Sequence, residues 1–87
     1  MGKVAELDVR TLEPFERHAK IFEVWDSLEV GDQIQLTNDH DPRPLHYQFM
    51  MEHEGEFVWG SEERGPREWV ATIRKVGLPK SVSSDTP

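Results

Sequence analysis

The chain has 87 residues, and its 17 acidic and 10 basic side chains give a formal net charge of −7. A chain of this length forms one small domain, and its acidic balance argues against a general nucleic-acid or anionic-membrane binder, because affinity for phosphate groups comes largely from an excess of cations. It contains no cysteine, which excludes thiolate nucleophiles and cysteine-ligated metals. No apolar run approaches the roughly 18 residues that span a bilayer.

The first part of the chain predicts a strand and then a helix. Residues 4–9 alternate loosely between apolar and polar side chains and predict a strand that ends near Arg10. Pro14 suits the first turn of the following helix, where its missing N–H is no loss. From residue 15 to residue 28, apolar side chains recur at spacings of three and four and form one broad apolar stripe, which is typical of a helix that faces the core. The stripe comprises Phe15, Ala19, Phe22 and Trp25, flanked by Ile21, Val24 and Leu28.

The middle of the chain predicts a second strand and a second helix. Residues 33–38 alternate strictly, with Ile34 and Leu36 facing one way and polar side chains facing the other, which is typical of a sheet covered on one side only. Residues 45–53 have helical spacing. A residue before proline is pushed away from helical geometry, so we expect this helix to begin at Pro44 and not at Arg43.

The last part of the chain predicts a β-hairpin and a tail. Residues 57–59 and 69–75 predict two strands, and the acidic stretch 61–67, which contains Gly and Pro, predicts the loop that joins them. Residues 77–87 are rich in Ser and Pro, have few apolar groups and predict a disordered tail after a single domain of residues 1–76. The predicted order of elements is therefore β-α-β-α-β-β.

The most informative segment connects the second strand to the second helix. It reads Asn38-Asp39-His40-Asp41-Pro42-Arg43-Pro44-Leu45. If the first two strands are parallel, Arg10 lies at the same end of the sheet as this segment, where the free N–H groups of helix N-termini attract anions. Arg10, His40 and Arg43 then complete a small anion pocket. The alternative, which the sequence favours, is that the two arginines pair with nearby aspartates and only brace the loops.

Histidines in and after this segment are candidate metal ligands. Histidine and carboxylate side chains suit zinc, iron or manganese. His46 and His53 lie about 10 Å apart along a helix axis, which is too far for both to bind one ion in the usual way. The better set is therefore His40, His46 and Asp41, with zinc or iron as the expected ion. The alternative is that the histidines are exposed on the helix and that an aspartate caps it.

Three stretches of the chain carry a resemblance to a known family. They are Leu7-Asp8-Val9-Arg10-Thr11-Leu12-Glu13-Pro14, the pair Gly31-Asp32, and the segment 38–45. Over roughly residues 5 to 75 the chain resembles the DUF2249 family of uncharacterised bacterial proteins, which is similar in turn to the TusA/SirA-like sulfur-carrier domains. The resemblance implies an α+β fold, a two-layer α/β sandwich with two helices on one face of a four-stranded mixed sheet.

The loop after the first strand departs from the sulfur carriers. Those domains hold a persulfide on the cysteine of a Cys-Pro-x-Pro motif at this place. Here the corresponding loop reads Leu12-Glu13-Pro14-Phe15-Glu16, with one residue fewer and no cysteine. The resemblance therefore implies a fold and the location of a site, but not persulfide chemistry.

Three functions follow from these patterns. The first is a non-catalytic accessory module that binds a protein partner or a small polar or anionic ligand, as a monomer or weak homodimer. We expect it in the cytoplasm, because residues 1–6 lack the apolar stretch of a signal peptide. The candidate ligand-binding residues are Arg10, Glu13, Asp39, His40, Asp41 and Arg43.

The other two functions draw on the histidines and aspartates. A metal- or redox-linked accessory domain is favoured by His40 and His46, and by the family's resemblance to proteins found with metal-binding modules such as hemerythrin-like and cupin domains. A hydrolytic or acid–base enzyme would use Asp39 and Asp41 as paired carboxylates. Aspartates before a helix are more often caps and turn formers, so the sequence favours the non-catalytic module.

Overall fold

Four strands and two helices make up residues 2–77, the part of the chain that this computed structural model describes. In chain order they are β1 (Val4–Asp8), α1 (Pro14–Ser27), β2 (Gln33–Asn38), α2 (Arg43–Glu52), β3 (Phe57–Gly65) and β4 (Glu68–Lys75). The predicted β-α-β-α-β-β order is confirmed. The predicted tail lies outside the described residues, apart from Gly77. Neither helix in the described range is long and apolar enough to cross a membrane.

The four strands form one mixed sheet in the order β1-β2-β4-β3. β1 and β2 are parallel, with Leu7 opposite Leu36, whereas β4 is antiparallel to both of its neighbours. The parallel pair brings the carboxyl ends of β1 and β2, and the loops that follow them, to the same end of the sheet. β1 and β3 are the edge strands.

Both helices pack on one face of the sheet and share a single core. The inward side chains of β2, Ile34 and Leu36, are fully buried, whereas the polar side chains on its other face are half-buried. The helices meet through aromatic rings, and the ring centroids of Trp25 and Phe49 are 5.1 Å apart in an edge-on arrangement. The core comprises Val9, Ile21, Trp25, Leu28, Ile34, Leu36, Leu45, Phe49, Ala71 and Ile73. This arrangement confirms the predicted two-layer sandwich of the α+β class.

The buried side of α1 differs from the predicted stripe. Phe15 is 79% exposed and Ala19 is also exposed, so the prediction that both face the core is wrong. The buried residues of the helix are Arg17, Ile21 and Trp25, at successive spacings of four. The first turn of α1 therefore turns an arginine inward and a phenylalanine toward solvent, because buried acceptors are available to the arginine.

α2 begins one residue earlier than predicted. Arg43 lies inside the helix, where its backbone N–H donates to Asp41 Oδ1 at 3.0 Å, and the His46 N–H donates to the Pro42 carbonyl at 3.0 Å. The Asp41 carboxylate satisfies an N–H group that the start of a helix leaves without a partner. This local bond outweighs the restriction that Pro44 places on the residue before it.

The β3–β4 hairpin is longer than predicted. β3 continues to Gly65 and β4 starts at Glu68, so the predicted loop over residues 61–67 is wrong. Glu62 pairs with Val70 in the ladder, and a register shift between Glu63 and Gly65 marks a bulge. The charged side chains of this segment are compatible with a strand because β3 is at the edge of the sheet, where charge discourages pairing with other chains.

Candidate functional site

A buried arginine lies at the centre of the site. The Arg17 side chain is 10% exposed. Its Nε donates to the Leu12 carbonyl at 3.1 Å, and one terminal nitrogen donates to Asn38 Oδ1 and Asp39 Oδ1, both at 3.0 Å. The other terminal nitrogen donates to Asp39 Oδ2 at 3.3 Å and to the Arg10 carbonyl at 3.4 Å. A guanidinium has five N–H donors, so these contacts fill its hydrogen-bonding capacity.

Arg17 joins two loops that are distant in sequence. The Arg10 and Leu12 carbonyls belong to the loop between β1 and α1, whereas Asn38 ends β2 and Asp39 begins the loop before α2. Asn38 is itself buried, and its Oδ1 also accepts the backbone N–H of Asp39 at 2.8 Å. One side chain from α1 therefore fixes the carboxyl ends of the two parallel strands relative to each other.

Asp39 in turn orients His40. The His40 Nδ1 lies 2.8 Å from Asp39 Oδ1. The Arg17 guanidinium, followed by His40, holds the pKa of the Asp39 carboxyl well below its usual range. Asp39 is therefore a carboxylate that accepts from both neighbours. Because a carboxylate can only accept, His40 Nδ1 donates this hydrogen bond, and Nε2 is the ring nitrogen that is left to meet a ligand. Nε2 accepts when the ring is neutral and donates to an anion when both ring nitrogens carry a proton.

The Arg17–Asp39–His40 contacts form one wall of a cleft of about 280 Å³. The cleft lies between the first turn of α1 and the carboxyl end of β2, and it is lined by Pro14, Arg17, His18, Asn38, Asp39 and His40. Of the residues predicted for the ligand site, the cleft brings together Asp39 and His40. Glu13 lies at the N-cap of α1 and makes no side-chain bond to the first turn.

Arg10 and Arg43 each pair with an aspartate two residues earlier. A terminal nitrogen of Arg10 lies 2.8 Å from Asp8 Oδ2, and Arg43 Nε lies 2.8 Å from Asp41 Oδ2. The side-chain and backbone hydrogen bonds from Arg10 lower the pKa of the Asp8 carboxyl. Neither arginine lines the cleft. Both brace their own loops, which is the arrangement that the sequence favours.

The histidines of α2 and its C-cap pack against other side chains. The His46 ring stacks on Trp59 with ring centroids 4.4 Å apart. His53 Nδ1 lies 3.2 Å from Glu56 Oε1. Both histidines are half-buried, so the expectation that they are exposed is wrong.

The predicted zinc or iron set is not assembled in the described part of the chain. Among residues 2–77, no group of three or more His, Asp or Glu side chains is placed to hold a metal ion. Each predicted ligand instead has another neighbour: His40 contacts Asp39, Asp41 contacts Arg43, and His46 stacks on an aromatic ring.

Arg17 and His18 belong to the site, although the apolar pattern does not indicate them. Arg17 is in helical register with Ile21 and Trp25, so it continues the buried side of α1. The position of Arg17, four residues before Ile21 and eight before Trp25, is the feature of the sequence that could have predicted its burial. His18 has no comparable signal, because its place in the site depends on where the loop after β2 lies.

One family comparison covers nearly the whole described domain. A family model with the description "Uncharacterized conserved protein (DUF2249)" matches residues 6–75. The chain belongs to the DUF2249 family. No curated protein and no solved structure matches it. The match begins within β1 and ends with β4, so the DUF2249 domain includes both helices and the cleft.

Proposed function

We propose that this DUF2249 domain is a non-catalytic accessory module that binds a small anion, such as a carboxylate or phosphate group, in the cleft beside His40. The observation that carries the proposal is the series of contacts from Arg17 through Asp39 to His40, which orients one imidazole at the cleft. A side chain that is already fixed costs less to order when a ligand binds.

The charges around the cleft suit an anion in spite of the chain's net charge of −7. The Asp39 carboxylate is paired with the buried Arg17 guanidinium, so it adds little negative charge to the cleft. His18 and His40 supply imidazole groups to its lining. Pro14 places the start of α1 at the cleft, and the helix dipole favours negative charge there.

The same contacts support binding in preference to acid–base catalysis. Both oxygens of Asp39 accept hydrogen bonds from Arg17, so this carboxylate is committed to the contact that joins the two loops. The His40 side chain is also 62% exposed, whereas electrostatic catalysis is strongest in sites that exclude water. His40 therefore serves as a hydrogen-bonding group for the ligand.

The proposal also covers the superfamily to which the domain is related and its place in the cell. The β-α-β-α-β-β order and a cleft beside the start of α1 support kinship with the TusA/SirA-like carriers, and the absence of cysteine supports a ligand other than persulfide sulfur. A bacterial cytoplasmic protein, acting with a partner and not with nucleic acid, is the setting that suits such an acidic module.

Chemical-shift mapping tests this proposal. We expect sulfate, phosphate and acetate, each added at constant ionic strength against chloride, to shift the amide signals of His18, Asp39 and His40 in a saturable way. His40→Ala should abolish the response. Arg43→Ala is the matched control, because this exposed side chain lies at the start of α2, directly after the same loop but outside the cleft, and the variant should bind as the wild type does. Shifts that centre elsewhere, or that survive His40→Ala, would contradict the proposal.

A further inference from the structure

The solvent side of α1 carries an apolar groove of about 410 Å³. This α1 groove is lined by Leu12, Phe15, Glu16, Ala19, Lys20 and Glu23. Phe15 is 79% exposed, and with Leu12 and Ala19 it supplies the apolar floor of the groove. An exposed ring of this size gives up the stabilisation that burial brings, and a contiguous apolar floor with a polar rim is typical of an interaction site.

Two carboxylates, Glu16 and Glu23, line the α1 groove, and two more lie at or near the ends of the same helix. The exposed acidic residues of α1 and its N-cap are Glu13, Glu16, Glu23 and Asp26. One exposed lysine, Lys20, opposes them, and its Nζ lies 3.7 Å from Glu23 Oε1. The arginine of the helix, Arg17, is buried and occupied by its contacts with the loops. The α1 groove therefore combines an apolar floor with a rim of net negative charge.

We infer that the α1 groove docks a segment of a protein partner that presents one apolar side chain flanked by lysine or arginine residues. The apolar side chain covers Phe15, and the flanking cations meet the carboxylates of the rim, which fixes the register of the segment. A second copy of this chain suits the groove less well, because two such rims face to face place carboxylates against carboxylates. The inference goes beyond the anion site and does not depend on it.

A defined peptide tests the inference. The probe is a synthetic peptide with one leucine between two pairs of arginines, and its control peptide carries glutamates in place of the arginines. We expect the arginine peptide alone to shift the amide signals of Phe15, Ala19 and Glu23, with an affinity that falls as the salt concentration rises. Equal binding of both peptides, or shifts centred elsewhere on the domain, would overturn the inference.

An apolar substitution separates docking from a general attraction of cations to an acidic chain. Phe15→Ala should weaken binding of the arginine peptide at least about tenfold, because truncation of a central aromatic anchor has effects of this size. Met51→Ala is the matched control, since Met51 is 83% exposed on α2, and it should leave binding unchanged. A Phe15→Ala protein that binds like the Met51→Ala protein would overturn the inference.

Charge reversal tests the rim. Glu16→Lys combined with Glu23→Lys should abolish binding of the arginine peptide. The matched double substitution, Glu6→Lys with Glu54→Lys, changes the net charge equally at exposed positions outside the α1 groove and should retain binding. Equal losses in the two double variants would show that only net charge attracts the peptide, and would overturn the inference.

Two further measurements keep the proposals apart. His40→Ala, which should remove the anion response, should leave peptide binding intact, so failure of the anion proposal is distinguishable from failure of the peptide proposal. Sedimentation velocity tests the other occupant. A concentration-dependent dimer that Phe15→Ala dissociates would identify a second copy in the α1 groove and overturn the inference, whereas a monomer supports it.

Discussion

The guanidinium of Arg17 contacts both carboxylate oxygens of Asp39, at 3.0 Å and 3.3 Å, across a separation of 22 positions in sequence. The two side chains are 10% and 36% exposed, so the contact is partly shielded from water, unlike an ordinary surface ion pair. Because Asp39 also orients His40, this one contact supports both the fold at this end of the sheet and the geometry of the cleft.

Replacing Arg17 with methionine should keep the apolar stem of the side chain and remove its guanidinium. We expect the free energy of unfolding to fall by about 2–3 kcal/mol, because the Asp39 carboxylate loses its partner and two backbone carbonyls lose the donor that Arg17 supplies. Arg17→Lys should recover part of this loss, since an ammonium group has three donors where the guanidinium has five.

Urea unfolding followed by tryptophan fluorescence measures these differences. Arg10→Met is the matched control, because Arg10 is exposed in its pair with Asp8, and it should change the unfolding midpoint little. If the two arginines proved equally important, Arg17 would not be the residue that joins the loops.

The Asp39 carboxyl should make stability depend on pH. Its pKa in the folded protein is lowered first by Arg17 and then by His40. A lowered pKa contributes stability that is fully present above the unfolded value, about 4, and is lost as the pH falls through the folded value. Asp39→Asn should therefore be less stable than the wild type at neutral pH, and the difference should shrink as the pH falls below about 4.

Urea midpoints measured across this pH range give the answer directly. Asparagine has nearly the shape of a protonated aspartate, so the acid end of the series serves as an internal control. A stability difference that stayed constant down to strongly acidic pH would contradict the assigned contacts of Asp39.

Two residues of α2 should differ sharply in their tolerance of truncation. Phe49 is fully buried between Trp25 and the sheet, whereas Met51, two positions later, is 83% exposed. Phe49→Ala should lower the free energy of unfolding by about 3–5 kcal/mol, through lost burial and the cavity that is left. Met51→Ala should stay within about 0.5 kcal/mol of the wild type. Thermal and urea unfolding of both variants check the orientation of the helix.

Two glycines should respond oppositely to an added methyl group. Gly31 has φ +101°, which side chains of L-residues rarely adopt, although the space around it is open. Gly31→Ala should therefore lower the free energy of unfolding by about 1–2 kcal/mol for backbone reasons alone. Gly60, in β3, also has open space but no such φ, so Gly60→Ala should be neutral or slightly stabilising. Unfolding curves with the same outcome for both variants would contradict the turn geometry at Gly31.

Sequence patterns predict the strands and helices that have one face against the core and the other face toward solvent. In β2, Ile34 and Leu36 meet the helices while Gln35 faces the open side, so strict alternation specifies both the strand and its covered face. The parallel pairing of β1 with β2 follows from the helix between them. Because the strands are parallel, their carboxyl ends lie at the same end of the sheet, and the sequence therefore predicts which end carries the cleft.

Arg17 and β3 depend on neighbours that are remote in sequence. A pattern of apolar residues does not predict that an arginine is buried. Burial of Arg17 requires the Leu12 carbonyl and the Asn38 side-chain oxygen as acceptors, and these come together only when the sheet forms. The charges of Glu62 and Glu63 are typical of a loop, yet an edge strand accommodates them. The sequence predicts Asp39 and His40 as residues of the site but not Arg17 and His18, because the position of the loop after β2 brings these two into the cleft.

The charges of β3 also govern how the protein behaves in concentrated solution. Its outer edge presents backbone N–H and C=O groups on which another extended chain can add as a fifth strand. In the antiparallel register that sets Glu62 of one molecule opposite Glu63 of the other, like charges across the ladder would repel. Charge on this edge therefore narrows the registers in which one molecule can extend the sheet of another, which is the step from which fibrils start.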